Sequence, residues 1–458
     1  MYTKQTMKSF LNRLHARLGD LWWYSLMIFV ACRSGDVIQA FIGLWLVPKY
    51  VGPEELGAVL PLSSFASFLA LPVSIFAMAF AKEITTLATK QRYGEMKTLI
   101  RGVFLTVAAA LILAIIASRL LMPLFLERIR IAEGSLGLLI LISAFLACTA
   151  PIYTNALQAL KKFKALSVLN LIYAPIRLIV LLITMPIRPL SGYFVGQAST
   201  PFLQVVTSVF CLKKELSVPA ERYWNKTVFR RFGVFIMGIS GYMFISALTG
   251  LVENLVLRQR LPDIESAAYY MTTRFSEISA FVTGTLLLTL FPFTAEIAES
   301  GKATRPLVFK ASAITILFGA LLAGFFLLFG KQLLHLLPNG DRYSEYAWAI
   351  PWLIAITTIG SIWGYHANTE ISAGRFGFLK WWIPTGLIYP AAMMLVTGHG
   401  YFTHILPVNL VAFLKTHNIT SLQSFLCWTS AITVIRVFFA LIDLTRQKAI
   451  PTPRPLRP

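Results

Sequence analysis

The sequence predicts an all-α polytopic membrane protein with about twelve transmembrane helices in two six-helix halves, related by a pseudo-two-fold axis along the membrane normal. Three observations predict it. Of 458 residues, 57% are hydrophobic and 13% charged, and the mean hydropathy is +0.69; a soluble domain carries about 25% charged residues. Apolar stretches of about 20 residues, the length that crosses a hydrocarbon core, recur along the whole chain. Of 41 Lys and Arg, 27 fall in alternate connections and the two termini, ten in the other connections and four within the stretches themselves. There is too little polar sequence to cover two or three soluble domains. A soluble enzyme, a disordered chain and a disulfide scaffold are therefore excluded.

The elements follow in order. Residues 1–24 form a basic arm. Leu11, Leu14, Leu18 and Leu21 recur there at helical spacing beside Arg13 and Arg17, with Trp22 and Trp23 beyond. This reads as an interfacial amphipathic helix or as an ordinary basic flank. It is not read as a cleavable signal peptide, because the first apolar run contains Arg33 and Asp36 and lacks a small-residue cleavage site. The N-terminal half, 25–212, holds candidate spans at 25–47, 56–80, 102–118, 135–157, 167–186 and 191–212. A cytoplasmic linker, KKELSVPAERYWNKTVFRRF, occupies 213–232. The C-terminal half, 233–443, holds spans at 233–256, 266–291, 309–330, 346–367, 377–397 and 422–443, and a tail fills 444–458. The spans at 191–212 and 266–291 are the weakest, because Ser, Thr and Gly dilute them. That composition suits helices facing other helices.

The charge distribution places both termini in the cytoplasm by the positive-inside rule and favours an even number of spans. Most of the formal net charge of +21 is thus topological, and no nucleic-acid partner is expected. The four cysteines fall within spans and read as small core residues. The halves begin alike, with KYVGPEELGAVL at 49–60 and RQRLPDIESAAYY at 258–270. An internal duplication of six spans would keep both halves in one orientation, which is the parallel-repeat arrangement of transporters that bind substrate between halves. Pro72, Pro151, Pro175, Pro201, Pro292, Pro351, Pro384 and Pro390 interrupt spans, as static kinks or as a set of bendable helices. No phosphate-binding GxxxxGK[ST], no GxGxxG and no GxSxG occurs. The outer loop at 398–421 carries His399, His404 and His417 too far apart for a local metal motif.

Ionisable residues inside spans are costly and normally face the bundle or water. Arg33/Asp36 and Arg274/Glu277 are pairs at i,i+3 and share a helix face. Each reads as a self-neutralising structural pair or as part of a cavity lining. Arg177 and Arg436 complete a set of four intramembrane arginines. Guanidinium binds phosphate oxygens through a planar fork, so an inward-facing set suits a phosphorylated or acidic lipid-linked substrate. Glu253 and Glu370 have no basic partner one turn away, and Asn254 and Asn368 supply amides nearby. If spans seven and ten touch, these four residues form a site for a coupling ion, Na⁺ or H⁺. The alternative is structural acids held by hydrogen bonds. No bound cofactor or resident metal is expected.

The segments YVGPEELGAVLPLSSFASFLALPVS (50–74) and HANTEISAGRFGFLKWWIPTGLIYP (366–390), on twelve spans in two halves, resemble the polysaccharide, O-antigen-type flippases of the multidrug/oligosaccharidyl-lipid/polysaccharide exporter superfamily. The family's LGPxxyG segment after the first span reads here Val51-Gly52-Pro53-Glu54-Glu55-Leu56-Gly57, and its small-residue GR stretch reads Ala373-Gly374-Arg375. The resemblance implies alternating-access translocation of an undecaprenyl-diphosphate-linked oligosaccharide across a bacterial inner membrane, as part of lipopolysaccharide or polysaccharide biosynthesis. It implies a monomer working beside a glycan polymerase or glycosyltransferases. It makes Asp36, Glu253 and Glu370 counterparts of the acids that carry coupling in the superfamily's exporters, although Arg33 beside Asp36 departs from that pattern. The competing expectations are a multidrug or cation antiporter of the same superfamily, a membrane-embedded polymerase or acyltransferase, and a non-transporting scaffold.

Overall fold

The computed structural model describes residues 34–131, 136–160, 162–223, 226–299, 304–372, 375–396 and 419–446. The N-terminal arm, Arg33, most of the outer loop (397–418) and the tail from 447 lie outside them. The described chain is helical and contains no strand. Its long helices are α1 (34–50, with a π turn at Ile42–Leu46), α2 (Val59–Leu69), α3 (Leu71–Thr89), α4 (Tyr93–Arg128), α5 (Leu136–Ala159), α6 (Phe163–Thr184) and α7 (Pro189–Cys211). They continue with α8 (Lys226–Arg260), α9 (Asp263–Glu299), α10 (Arg305–His335), α11 (Ala349–Ser372), α12 (Leu379–Val396) and α13 (Leu422–Arg446). With α2 and α3 counted as one helix broken at Ala70, the described residues of each predicted span correspond to one helix.

Six described helices are long and apolar enough to cross a bilayer, and a seventh qualifies if the 3₁₀ turn Gly340–Tyr346 is joined to α11 across a 66° bend. α1, α2, α3, α7, α9 and α12 are not among the six, so α7 and α9, the two spans that sequence marks as diluted, are not set apart by this measure. The membrane setting shows on the surface. Leu105, Ile112 and Leu113 on α4, Ile179 and Ile183 on α6, and Leu317, Leu321 and Leu327 on α10 are all exposed. Soluble monomers do not carry apolar faces of this extent, whereas lipid solvates them.

Helix ends differ from the predicted spans for a physical reason. α4, α8 and α9 have 36, 35 and 37 residues. At 1.5 Å per residue they are about 52–56 Å long, against a hydrocarbon core of about 30 Å. A helix need not stop where the lipid does, so the charged flanks continue as helix. Pro123, Pro151, Pro175, Pro201, Pro384 and Pro390 lie inside helices. Pro72 and Pro351 sit in the first turns of α3 and α11, where the missing N–H costs nothing.

The chain divides into two compact units, each discontinuous in sequence. Unit 1 comprises the described residues of Met1–Ile42, Pro72–Pro123 and Glu133–Gly233. In it α5 and α6 pack along α7. A Cβ on Gly196 of α7 would stand 2.3 Å from Leu181 Cδ2 of α6, so any larger residue there would displace the Leu181 side chain between the two helices. The connection after α7 is docked on unit 1. The Glu221 amide donates to Gly94 O (3.2 Å), Thr98 Oγ1 to Glu221 O (2.6 Å) and Lys97 Nζ to Val218 O (2.9 Å). Tyr223 Oη donates to buried Glu83 Oε2 at 2.8 Å, and Lys162 Nζ pairs with Glu215 Oε2 at 2.8 Å. Of the predicted linker 213–232, residues from Lys226 onward are the first turns of α8.

Unit 2 comprises Gly43–Leu71, Leu124–Ala132 and the described residues from Val234 onward. Its core joins α8, α9, α11 and α13 through Val252, Leu257, Tyr269, Leu353, Phe425 and Leu426. The two segments with similar sequences, 49–60 and 258–270, meet within this unit. Arg258, 1% exposed, donates through Nη2 to Glu54 O (2.7 Å), through Nε to Ile129 O (3.1 Å) and through Nη1 to Asp263 Oδ1 (2.5 Å). Gly57 packs beneath it, where a Cβ would lie 2.7 Å from Ser266 Cβ. Arg258, which the topology count treats as an outer-loop charge, is thus the buried clasp of three segments.

Candidate functional site

The predicted site residues fall into four places. In unit 1, Asp36 and Arg177 lie on neighbouring helices, α1 and α6. Gly35 packs against Ala174, and Arg177 Nη1 donates to Gln39 Oε1. Both Asp36 and Arg177 are half-buried. Arg33, the expected partner of Asp36, lies outside the described residues.

In unit 2, Arg274 and Glu277 of α9 form the pair their spacing predicts, Nη1 to Oε1 at 2.6 Å. The Arg274 guanidinium also lies over the Tyr270 ring, 4.5 Å from its centroid. Gly43 of the π turn makes room for it, since a Cβ there would stand 3.0 Å from Arg274 Cδ.

The third place is a cavity of about 170 Å³ within unit 2. It brings together Glu253 of α8 and Arg436 of α13, residues that sequence assigned to separate sites. Tyr269, Thr273 and Ser276 of α9, Thr357 of α11, and Thr429 and Thr433 of α13 supply its hydroxyls; Leu353, Ile356 and Ile432 close it. Tyr269 Oη donates to Glu253 Oε1 at 3.3 Å, and Arg436 Nη2 donates to Thr249 Oγ1 at 3.2 Å. Residues 269, 273 and 276 recur at i, i+4 and i+7 and so share one face of α9. Residues 270, 274 and 277 have the same spacing, one residue on. The Arg274–Glu277 pair therefore belongs to the adjoining face and is not among the lining residues.

The fourth place is the far end of α11. Glu370 is buried and Asn368 half-buried there. From Thr357, which lines the Glu253 cavity, Glu370 is roughly 20 Å further along the helix. The structure therefore does not bring Glu253 and Glu370 into one ion site, and Asn254 also turns elsewhere. Its Nδ2 donates to Ser64 Oγ of α2 (2.7 Å) and to Gly250 O (2.9 Å). The expectation of one four-residue coupling site gives way to a cavity holding Glu253 alone of the four. Near Glu370, His366 Nε2 and Asp443 Oδ2 lie 3.0 Å apart, and Lys380 Nζ is 3.4 Å from Asp443 Oδ1.

Sequence reasoning missed the hydroxyls. Their signal was present: Thr429, Thr433 and Arg436 recur at i, i+4 and i+7, as do Tyr269, Thr273 and Ser276 on α9. Chemically, the cavity offers a carboxylate and a guanidinium, both half-buried, and a set of hydroxyls. Its size admits a single phosphate group or a cation with part of its water. Pockets for drug-sized ligands are about 300–1,000 Å³, so an oligosaccharide does not fit in it. Among the described residues no cluster of metal-ligating side chains occurs.

No protein-family model and no curated protein matches the sequence. Solved structures do match. The chain is similar to the inward-facing conformation of a multidrug resistance MATE family transporter of the MOP superfamily, at 13% identity over 90% of this chain and 94% of that one, with a TM-score of 0.63. It is similar to the lipid II flippase MurJ in an inward closed conformation, at 15% identity over 92% and 87%, with a TM-score of 0.59. A mutant of the Vibrio cholerae MATE transporter VcmN matches at 13% identity over 96% and 98%, with a TM-score of 0.58. Over nearly its whole length, then, this multi-pass membrane chain has the fold shared by MATE transporters and the lipid II flippase.

Proposed function

We propose that the protein is a flippase that translocates an undecaprenyl-diphosphate-linked oligosaccharide across the bacterial inner membrane by alternating access, coupled to Na⁺ or H⁺, with both termini cytoplasmic. The observation that carries this reading is the pairing of Arg436 and Glu253 in one cavity of unit 2. A half-buried guanidinium in a hydroxyl-lined space attracts phosphate oxygens. A carboxylate in the same space attracts a cation or a proton. The two charges make occupancy by anion and by cation interdependent, which is what coupling requires. Arg177 and the Arg274–Glu277 pair extend the set of polar groups within the bundle. In this reading the cavity handles the charged end of the substrate or the ion, and its volume leaves the glycan to be accommodated elsewhere. A fold in common with a protein described as a lipid II flippase supports the substrate class. The 27-to-10 division of basic residues supports the orientation.

A second reading, a multidrug or cation antiporter, is favoured by Glu253, whose Oε1 is held by the Tyr269 hydroxyl against the cavity. The two readings separate in one experiment. In cells lacking their own O-antigen flippase, the chain should restore surface glycan. Arg436→Ala should abolish that restoration at unchanged membrane abundance. Undiminished restoration by Arg436→Ala would remove the role assigned to the cavity. Loss of resistance to cationic dyes, with no glycan phenotype, would favour the antiporter.

A further inference from the structure

A second pocket, this one basic, lies at the other end of unit 2 from the His366–Asp443–Lys380 cluster, where α4 and α8 end and α13 begins. It is open, about 410 Å³ in volume, and lined by Arg130, Arg260, Leu261, Pro262, Ile419 and Thr420. The lining holds two guanidiniums and one hydroxyl, with no carboxylate among them. Like charges are not gathered around an open pocket without cost unless a counter-charge is shared between them.

The backbone at Arg130 adds a second observation. α4 is closed by a Schellman turn: the Arg130 amide donates to Glu127 O (3.1 Å) and the Ile131 amide to Leu126 O (3.0 Å). Arg130 stands at the left-handed position of that turn, with φ +61°, where glycine is the usual occupant because a Cβ crowds the backbone. The arginine is therefore present despite the turn. Its side chain is 54% exposed, and its contacts are long, 3.4 Å to Asp263 Oδ1 and 3.3 Å to Gln259 O. Asp263 is committed at 2.5 Å to the buried Arg258. A guanidinium carries five N–H donors, so Arg130 keeps donors for a ligand. Arg260 contributes a second fork across the pocket, and Leu261, Pro262 and Ile419 give it an apolar wall.

We propose that this pocket binds a phosphate group, as the phosphodiester of an anionic lipid headgroup or as free phosphate or diphosphate, at a site separate from the Arg436–Glu253 cavity. Paired arginines and a hydroxyl match the oxygens of such a group, and the apolar wall suits a ligand that arrives with its acyl or prenyl portion still in lipid. The topology expected from the basic residues puts the pocket on the outer face.

The test uses the purified full chain in detergent and measures binding, so it does not depend on transport. The probes are phosphatidylglycerol, followed by native mass spectrometry, and inorganic pyrophosphate, followed by calorimetry. Arg130→Gly is the informative variant. It restores the residue the turn prefers, so thermal stability should be equal or higher while affinity falls about tenfold, the loss expected for one charge-assisted contact. Arg130→Gly with Arg260→Gln should abolish binding, and exposed Arg342→Gln should leave it unchanged. Binding of phosphatidylglycerol alone identifies a headgroup site, and binding of pyrophosphate alone a free-phosphate site. The proposal is overturned if the wild-type chain binds neither probe, or if the double variant binds as the wild type does.

Discussion

Arg258 offers the sharpest test of how the fold is held. Its guanidinium is 1% exposed and makes three hydrogen bonds to three separate segments: Glu54 O at 2.7 Å, Ile129 O at 3.1 Å and Asp263 Oδ1 at 2.5 Å. Arg258→Met keeps the side-chain volume and removes all three donors. A buried polar group left without its partner costs about 1–3 kcal/mol, and breaking a buried ion pair by removing one partner costs about 3–5 kcal/mol. Asp263 is 35% exposed and keeps Arg130 at 3.4 Å, so water and the second arginine recover part of its loss. The expected destabilisation is therefore near the lower end, about 3 kcal/mol. Arg258→Lys supplies an ammonium that cannot span all three acceptors and should fall between the wild type and Met. Equilibrium unfolding of the purified protein in mixed micelles, followed by tryptophan fluorescence, measures both. A Met variant within about 0.5 kcal/mol of the wild type, the range of ordinary surface changes, would refute the assignment of Arg258 as a clasp.

Other consequences follow from particular contacts. At Gly340 a Cβ would lie 1.7 Å from the Leu334 carbonyl oxygen. Gly340→Ala should therefore force the backbone after α10 to move and lower thermal stability by more than the ~1 kcal/mol of an average substitution; an unchanged melting curve would contradict that geometry. Glu215 is pushed upward by burial, but the Lys162 hydrogen bond, its backbone bond and the charges of Lys162 and Lys214 hold it below the ordinary carboxyl range. A depressed native pKa contributes stability that is present above the unfolded value and lost as pH falls through the native one. Glu215→Gln should thus be less stable than the wild type at pH 7, with the difference shrinking below about pH 4.5. A difference that grows on acidification would reverse the sign of this account.

The spans were legible because lipid demands long apolar runs whatever the tertiary contacts. α7 and α9 were legible as weak spans because Ser, Thr and Gly dilute them, and several of those hydroxyls (Ser208 of α7; Ser266, Thr272, Ser276 and Ser279 of α9) are buried. Span ends were not legible, because α4, α8 and α9 run well beyond the hydrocarbon. Arg274 and Glu277 could be paired from sequence because one helix turn sets their geometry. Arg258 could not be recognised: its partners Glu54 and Ile129 are distant in sequence, and a basic residue after an apolar run reads as a loop charge. The meeting of Glu253 with Arg436 depends on how α8 packs against α13, and no local pattern encodes it. The expected union of Glu253 with Glu370 failed on distance, since both helices do approach the core but the two acids lie at different depths. The hydroxyls at 429, 433 and at 269, 273, 276 carried a periodic signal that a search confined to charged residues passes over.

Arg436 and Glu253 line one cavity, and the proposed role of that cavity is to serve an anionic lipid-linked substrate and its coupling ion. It is tested most directly by vesicles containing the purified protein and an undecaprenyl-diphosphate-linked oligosaccharide labelled on the sugar, with transfer between leaflets followed under imposed Na⁺ or pH gradients. The expected result is transfer by the wild type, loss of at least tenfold in rate for Arg436→Gln, and transfer by Glu253→Gln that no longer responds to the gradient. Transfer that is absent in the wild type, or equal and gradient-dependent in all three proteins, would contradict it.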